Sequence, residues 1–401
     1  MYIHAAHNAA VMNITFGGKG QGSFSMINTA IRKSQRQFDN IVAGLGRRFT
    51  MHESAVEMVR SPDRGRLLRV SDRIRRTFAR HNPPIYVGRH VGTGGFADVF
   101  LAESSYEDET RFAVKVLRSD LLRLSPAEDR REEEMRIKEV KRRFSNEAYI
   151  QWHLSKSLSE RVARGVVKVY DHGEFDTEEE FRFILMERMG LTLRVFLSDP
   201  ANFGADPDLL LYKTVLMTKI ADIVSNVHKE GVFHRDIKPE NILFPIIPVG
   251  EETAATDTPA KRCARQIQVK LADFGTVRWV RSHNDSFDGA IIGSQFYMSP
   301  EQIFHPRRLD PRTDIYSFGL VCYELLHGVH AKEIDKRTAE PIDVVARKQP
   351  VRLRAPEGFE PLNDIIMTCL AELEDRYRTM DEVVGALRAF MAERWSEIGK
   401  V

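Results

Sequence analysis

The hydrophobic period of this 401-residue chain changes once, and that change limits the fold more than any other feature. Between residues 85 and 187 the apolar positions come in short β-branched and aromatic runs. The runs 85–90, 99–102, 112–117, 166–170 and 181–187 predict strands. One long charged stretch, 126–154, has helical spacing and interrupts them. From residue 209 onward the pattern is mostly helical, over 209–230, 313–326, 362–372 and 380–398, with one further strand at 268–271. A small sheet-rich half followed by a larger helical half is an α+β, two-lobed arrangement.

Residues 1–80 stand apart. They hold 14 Lys/Arg against 5 Asp/Glu, a balance of +9 in a chain whose net charge is +2, so the rest carries −7. Residues 1–24 are rich in Gly, Ala and Asn without periodicity and read as disordered. Residues 26–49 and 67–80 each carry an apolar helical stripe, with a break at Ser61-Pro62. Such a basic leader suits an anionic or protein partner. It reads equally as a solvated helical extension packed on the body, as a membrane-surface or nucleic-acid patch, or as an organellar presequence, since its first acid is Asp39. Cys263, Cys322 and Cys369 are too scattered for a disulfide framework or a Cys-x-x-Cys metal site, which points to a reducing, cytoplasmic setting. The longest apolar stretches, 241–249 and 315–326, fall short of the roughly 20 residues of a membrane span, so no transmembrane segment is expected.

Several short motifs carry chemistry. Val91-Gly92-Thr93-Gly94-Gly95-Phe96-Ala97-Asp98-Val99 joins two predicted strands, and glycines there let a backbone approach phosphates and offer N–H groups. The element after it is a strand, which argues against a dinucleotide fold, whose glycine loop opens a helix. Phe112-Ala113-Val114-Lys115-Val116 sets a lysine in an apolar strand, where a lysine seldom faces inward unless paired. His234-Arg235-Asp236-Ile237-Lys238-Pro239-Glu240-Asn241 follows a strong amphipathic helix. Ala272-Asp273-Phe274-Gly275 follows a strand. Two acids and an amide on such loops suit metal and proton handling. Gly293-Ser294-Gln295-Phe296-Tyr297-Met298-Ser299-Pro300-Glu301 precedes a helix that opens at Asp314.

In this order and context the set resembles the eukaryotic-like (Hanks-type) serine/threonine protein kinases, over about residues 86–387. The resemblance implies a bilobal protein-kinase-like fold over 85–398, with a sheet-rich N-lobe (85–187) and a helical C-lobe (188–398), preceded by a basic, partly helical extension (1–80). It implies ATP and Mg²⁺ as cofactors and a protein Ser/Thr hydroxyl as acceptor, the chain itself included. Gly92, Gly94, Gly95 and Ala97 would cover the ATP phosphates. Lys115 would contact the α/β-phosphates and pair with a helix glutamate. Among Glu132, Glu133, Glu134, Glu139 and Glu147, the resemblance favours Glu147, whose flank of Phe144, Ile150 and Leu154 forms an apolar face, and the others read as solvated faces. Asp236 would take the hydroxyl proton and Lys238 would steady the transferred group. Asn241 and Asp273 would hold the metal. Val99, Ala113, Met186 and Leu243 would line the adenine pocket, and Glu187 and Met189 would offer it backbone groups. His234 would pack rather than act as a base.

The departures are as informative as the matches. Ala97 stands where the family has a third glycine, and Ser299 where it has alanine before Pro-Glu. Residues 245–266 form an insertion with the composition of a mobile surface loop. Arg378 matches the late arginine that the family pairs with the glutamate at Glu301. Arg235 accompanies, in the family, control by a phosphate on the segment 273–301, whose hydroxyls are Thr276, Ser282, Ser286 and Ser294; Ser282 or Ser286 is the expected site. The competing reading is a pseudokinase, or a scaffold whose basic extension binds a partner. Lys115, Asp236, Asn241 and Asp273, all present, argue for an active enzyme.

Overall fold

The structure is a computed structural model. It describes residues 85–104, 111–122, 130–175, 181–203, 207–245, 267–275, 278–279, 295–306, 309–332 and 342–398. The expectations for residues 1–80, for 246–266 and for Thr276, Ser282, Ser286 and Ser294 lie outside the described residues.

The first half is a five-stranded antiparallel sheet in the order β1-β2-β3-β5-β4. Its strands are β1 (Ile85–Thr93), β2 (Ala97–Ser104), β3 (Arg111–Leu117), β4 (Val169–Phe175) and β5 (Phe181–Glu187). Strand alternation divides their side chains between two faces. Ile85, Val87, Phe100, Phe112, Val114, Val116, Phe183 and Leu185 fill one core. Ala97, Leu117, Val169 and Ile184 pack on the other face against Val140, Phe144 and Ala148. Those last three belong to α1 (Arg130–Ser155). Its buried positions Val140, Phe144, Glu147, Gln151 and Leu154 fall three or four apart, so one stripe faces inward. The outer face is laced with ion pairs such as Arg130–Glu134 and Arg142–Glu139. Glu133 departs from the solvated reading: it is only 3% exposed and receives both Nε and Nη2 of Arg136.

The strand expected at 166–170 begins instead at Val169. Ahead of it runs a short helix, α2 (Glu160–Gly165), and Val166 makes an isolated parallel bridge to Leu271. Past β5 the chain makes β6 (Met189–Thr192), α3 (Leu193–Leu197), α4 (Pro207–Lys229), β7 (Val232–Phe233), β8 (Ile242–Pro245), β9 (Lys270–Leu271) and β10 (Arg278–Trp279). Strands β6, β8 and β9 form a small sheet beneath the larger one, and β7 pairs with β10. The remaining helices are α5 (Pro300–Phe304), α6 (Arg312–His327), α7 (Ile342–Arg347), α8 (Glu360–Cys369) and α9 (Met380–Ile398).

The large core is built on α6, which is buried on all sides from Thr313 to Leu326. A helix without a solvent face must be wrapped by others: α4 and α8 pack on it, and α9 packs in turn on both of these. Gly319 lets α8 come close, because a Cβ there would lie 2.8 Å from that of Cys369. Among the described residues no helix is long and apolar enough to cross a membrane.

Candidate functional site

The site lies where the two halves meet. Lys115 sits mid-strand in β3, in register with Val99 of β2 and Ile184 of β5. Its Nζ donates to Glu147 Oε1 at 2.5 Å and to Asp273 Oδ1 at 3.2 Å. One ammonium thus serves two carboxylates. Burial works against the Lys115 charge, yet Asp273 and Glu147 outweigh it and hold its pKa above the ordinary lysine value. Burial pushes the Glu147 carboxyl up to about 7 against the pull of Lys115, and the like charge of Asp273 adds to the rise. Asp273 is held below the usual carboxylate range: Lys115 and Lys238 overcome its desolvation. Of the other glutamates on α1, Glu139 is taken by Arg142 and Arg143 on the outer face.

The loop after β7 carries the second group. Asp236 is buried and accepts from Lys238 Nζ at 2.6 Å and from Asn241 Nδ2 at 3.1 Å on the same oxygen, Oδ2. Burial raises its pKa and Lys238 opposes the rise. The Asn241 amide also donates to the Asp236 carbonyl, and Ala272 N–H donates to the Asn241 carbonyl, so the loop and the strand end at Asp273 are tied together. His234 is the internal post of this loop. Its Nδ1 accepts from Asp236 N–H at 3.3 Å and its Nε2 meets the Ala272 carbonyl at 3.0 Å, which sets the tautomer with the proton on Nε2. Burial lowers its pKa, and its ring packs edge-on against Phe274 at 4.7 Å.

Two residues here hold left-handed backbone, Arg235 at φ 63° and Asp273 at φ 67°. Such geometry persists in non-glycine residues only where the surroundings enforce it. Asp314, at the start of α6, supplies part of that enforcement. Its carboxylate accepts from His234 N–H at 2.8 Å, from Arg235 N–H at 2.7 Å and from His228 Nε2 at 2.8 Å. Gln302 adds a bond from its Nε2 to the Arg235 carbonyl at 2.8 Å, while Gln302 and Ser299 cap α5 reciprocally. Sequence reasoning named Asp314 only as the opening of a helix, with no role, since an acid in a first helical turn reads as an ordinary dipole partner, and it assigned Gln302 no role.

The expected adenine-pocket residues come from both sheets. Ala113 and Met186 pair across β3 and β5. Leu243 sits on β8, opposite Thr192 and Lys270. Glu187 N–H donates to the Lys168 carbonyl, so of its two backbone groups only the carbonyl remains to be offered. Its side chain is held by Lys270 Nζ at 2.5 Å, which ties β5 to β9. Met189 pairs with Pro245 at the edge of the lower sheet.

One pairing is corrected. Glu301 meets Arg376, not Arg378: Arg376 Nη1 lies 2.6 Å from Glu301 Oε1 in a buried contact, and its Nε and Nη1 also donate to the carbonyls of Ala371 and Arg312. Arg378 is exposed, and its backbone N–H bonds Glu382. Arg376→Ala is therefore expected to cost about 3 kcal/mol, because it leaves Glu301 buried without its partner. Arg378→Ala is expected to stay within about 0.5 kcal/mol. Urea unfolding of the two variants checks this, and equal midpoints would refute it.

Comparison with known proteins agrees with this geometry. A family model described as protein kinase domain matches residues 85–384. A probable serine/threonine-protein kinase of Clostridium perfringens is 30% identical over 307 residues, covering 74% of this chain and 37% of the relative. The serine/threonine-protein kinase PrkC of Bacillus subtilis is 29% identical over 315 residues, covering 77% and 41%. The serine/threonine-protein kinase PknL of Mycobacterium tuberculosis is 36% identical over 217 residues, covering 53% and 47%. The matches span less than half the length of each of these relatives. With a family model matched across both sheets, the site between them and the helical core, this chain belongs to the protein kinase family.

Proposed function

We propose that the chain transfers the γ-phosphate of ATP to serine or threonine hydroxyls of proteins. The observation that carries this reading is the convergence of Lys115, Glu147, Asp273, Asp236, Lys238 and Asn241 into one bonded network at the junction of the halves.

The residues fit a nucleotide and a metal. A Cβ at Gly92 or Gly95 would meet nothing within 4 Å. The protein itself does not need glycine there, and the room it leaves suits the approach of phosphates. A half-exposed carboxylate on Asp273 (42%) and an amide on Asn241 form a sparse oxygen donor set. That is the set expected of Mg²⁺, which keeps waters and takes phosphate oxygens for the rest. When bound, the metal supplies neutralisation of phosphate charge.

The chain's own residues supply the remainder. Lys115 is held as a cation between Glu147 and Asp273 and would bind phosphate oxygens, with Glu147 steadying its ammonium. Asp236 would orient the acceptor hydroxyl and receive its proton as the hydroxyl oxygen bonds to phosphorus and the bond to the ADP oxygen breaks. Lys238, already on Asp236 Oδ2, would accompany the phosphoryl group. The small acceptor is argued from Lys238 and from the names of the relatives, which are serine/threonine kinases. The basic stretch 1–80 remains suited to an anionic or protein partner.

The test is incubation of the full chain with Mg²⁺ and radiolabelled ATP, alone and with a generic basic protein, followed by phosphoamino-acid analysis. Phosphoserine or phosphothreonine that disappears in Asp236→Asn supports the proposal; no label above the variant overturns it. Lys115→Met is expected to lower turnover by roughly a hundredfold, the scale of one lost transition-state donor. Glu147→Ala is expected to lower it less, because Asp273 still holds Lys115. A larger loss in Glu147→Ala than in Lys115→Met would contradict the geometry.

A further inference from the structure

The glycine turn between β1 and β2 is held by side chains that the phosphate-binding reading does not use. Its tip has no packing of its own: Gly92 and Gly95 face open space and Phe96 is 41% exposed. Backbone bonds close it only in part, with Gly94 N–H donating to the Ala97 carbonyl at 2.7 Å and Arg118 N–H to the Phe96 carbonyl at 3.0 Å.

Two polar arms complete the closure. On one flank, Arg118 lies just past β3. Its Nε and Nη2 fork onto the Asp120 carboxylate at 3.2 and 2.6 Å, and its Nη1 donates to the Gly94 carbonyl at 3.2 Å. The fork fixes the guanidinium plane, so its remaining edge is aimed at the turn. On the other flank, Thr93 Oγ1 donates to Asp98 Oδ1 at 2.7 Å across the base of the hairpin, where Thr93 and Asp98 are partners in register. The hydroxyl has one proton and gives it to the carboxylate, so it accepts from His90 Nε2 at 3.1 Å. Asp98 is buried, while Thr93 is exposed at the root of the turn.

We propose that Arg118 and the Thr93–Asp98 pair are positioning residues for ATP, clasping the glycine turn from both flanks so that its shape over the phosphates is set before nucleotide arrives. This rests on the phosphotransfer reading above. Glycine-bearing backbone loses more freedom on ordering than any other, and a turn that is ordered in advance spares the nucleotide that loss.

The experiment uses the full chain in two arms. Hydrogen exchange of the 92–97 amides without nucleotide reads the clasp itself. Steady-state kinetics read KM for ATP against kcat. Arg118→Ala is expected to speed exchange in the turn and to raise KM for ATP by about tenfold each, the scale of one charge-assisted hydrogen bond, with kcat changed less than about threefold. Arg118→Lys, which keeps one donor and loses the fork, is expected to recover part of both. Thr93→Val, close in shape and lacking the hydroxyl, is expected to act in the same direction, and it decides the matter if Arg118→Ala fails to fold. Unchanged exchange in both variants overturns the clasp. So does a loss confined to kcat. A parent chain that turned over no ATP would defeat the phosphotransfer reading instead, with the exchange arm still deciding whether the turn is clasped.

Discussion

Asp273→Asn is expected to yield a folded protein that has lost roughly a thousandfold in Mg²⁺-ATP turnover. On the proposed function Asp273 would help hold the metal, and the charge neutralisation lost with it would be worth several kcal/mol in the transition state. The choice of asparagine follows from the backbone. Asp273 sits at φ 67°, a conformation that asparagine adopts far more readily than alanine. The substitution therefore keeps the loop and removes only the charge. A second consequence is electrostatic. Lys115 then serves a single carboxylate, so Glu147, pushed up to about 7 by burial and further raised by the Asp273 charge, should titrate lower. Its raised pKa means that the protonated form is favoured by folding. Its contribution to stability is therefore present below the unfolded value near 4.3 and is lost as pH rises through about 7. In Asp273→Asn that loss should shrink, so thermal stability between pH 5 and about 8 should become flatter than in the parent. Phosphotransfer assays and melting curves across that range check both parts. Parent-like turnover in a folded variant would remove Asp273 from the metal site.

How much of this was legible in the sequence depended on periodicity. Glu147 was chosen over four neighbouring glutamates because the family resemblance favours a glutamate flanked by an apolar face, here Phe144, Ile150 and Leu154, and these three are buried with it on α1. Four of the five long strands were legible from their β-branched and aromatic runs, while β4, expected at 166–170, runs from Val169 to Phe175. The small sheet of β6, β8 and β9 was mostly not, since strands of two to four residues carry no alternation to read. The match of Arg378 to the family's late arginine failed, and Arg376 lies only two residues before it. Both lie in the stretch between α8 and α9, where no helical or strand period says which side chain turns inward. Only the folded path shows Arg376 buried beside Glu301 with its cation over the Tyr316 ring at 4.7 Å.

Asp314 illustrates a deeper limit and the other large expected effect. Two of its three partners are 80 and 79 residues away in sequence, and these two are backbone N–H groups, which no side-chain pattern announces. Asp314→Ala orphans those two N–H donors and His228 Nε2 in a fully buried place. At roughly 1–3 kcal/mol per orphaned donor, a loss of about 4–5 kcal/mol is expected. Arg235 would also lose the anchor for its left-handed backbone, so Asp236, the next residue, would no longer be held in place. On the proposed function, turnover should fall by more than about a thousandfold even where folding is restored by cold or osmolyte, because a misplaced Asp236 would forfeit both orientation and proton transfer. The pH dependence gives an independent check. Burial opposes the Asp314 charge, but His228, His234 and the Arg235 N–H overcome it and hold the pKa below the usual carboxylate range. A depressed pKa contributes stability that is fully present above the unfolded value near 3.9 and is lost as pH falls through the folded value. As pH falls, the gap in unfolding free energy between parent and Asp314→Ala should therefore narrow only below about pH 4. A gap that narrowed already between pH 7 and pH 5 would mean that a group other than the Asp314 carboxylate holds the loop of Arg235 and Asp236 on α6.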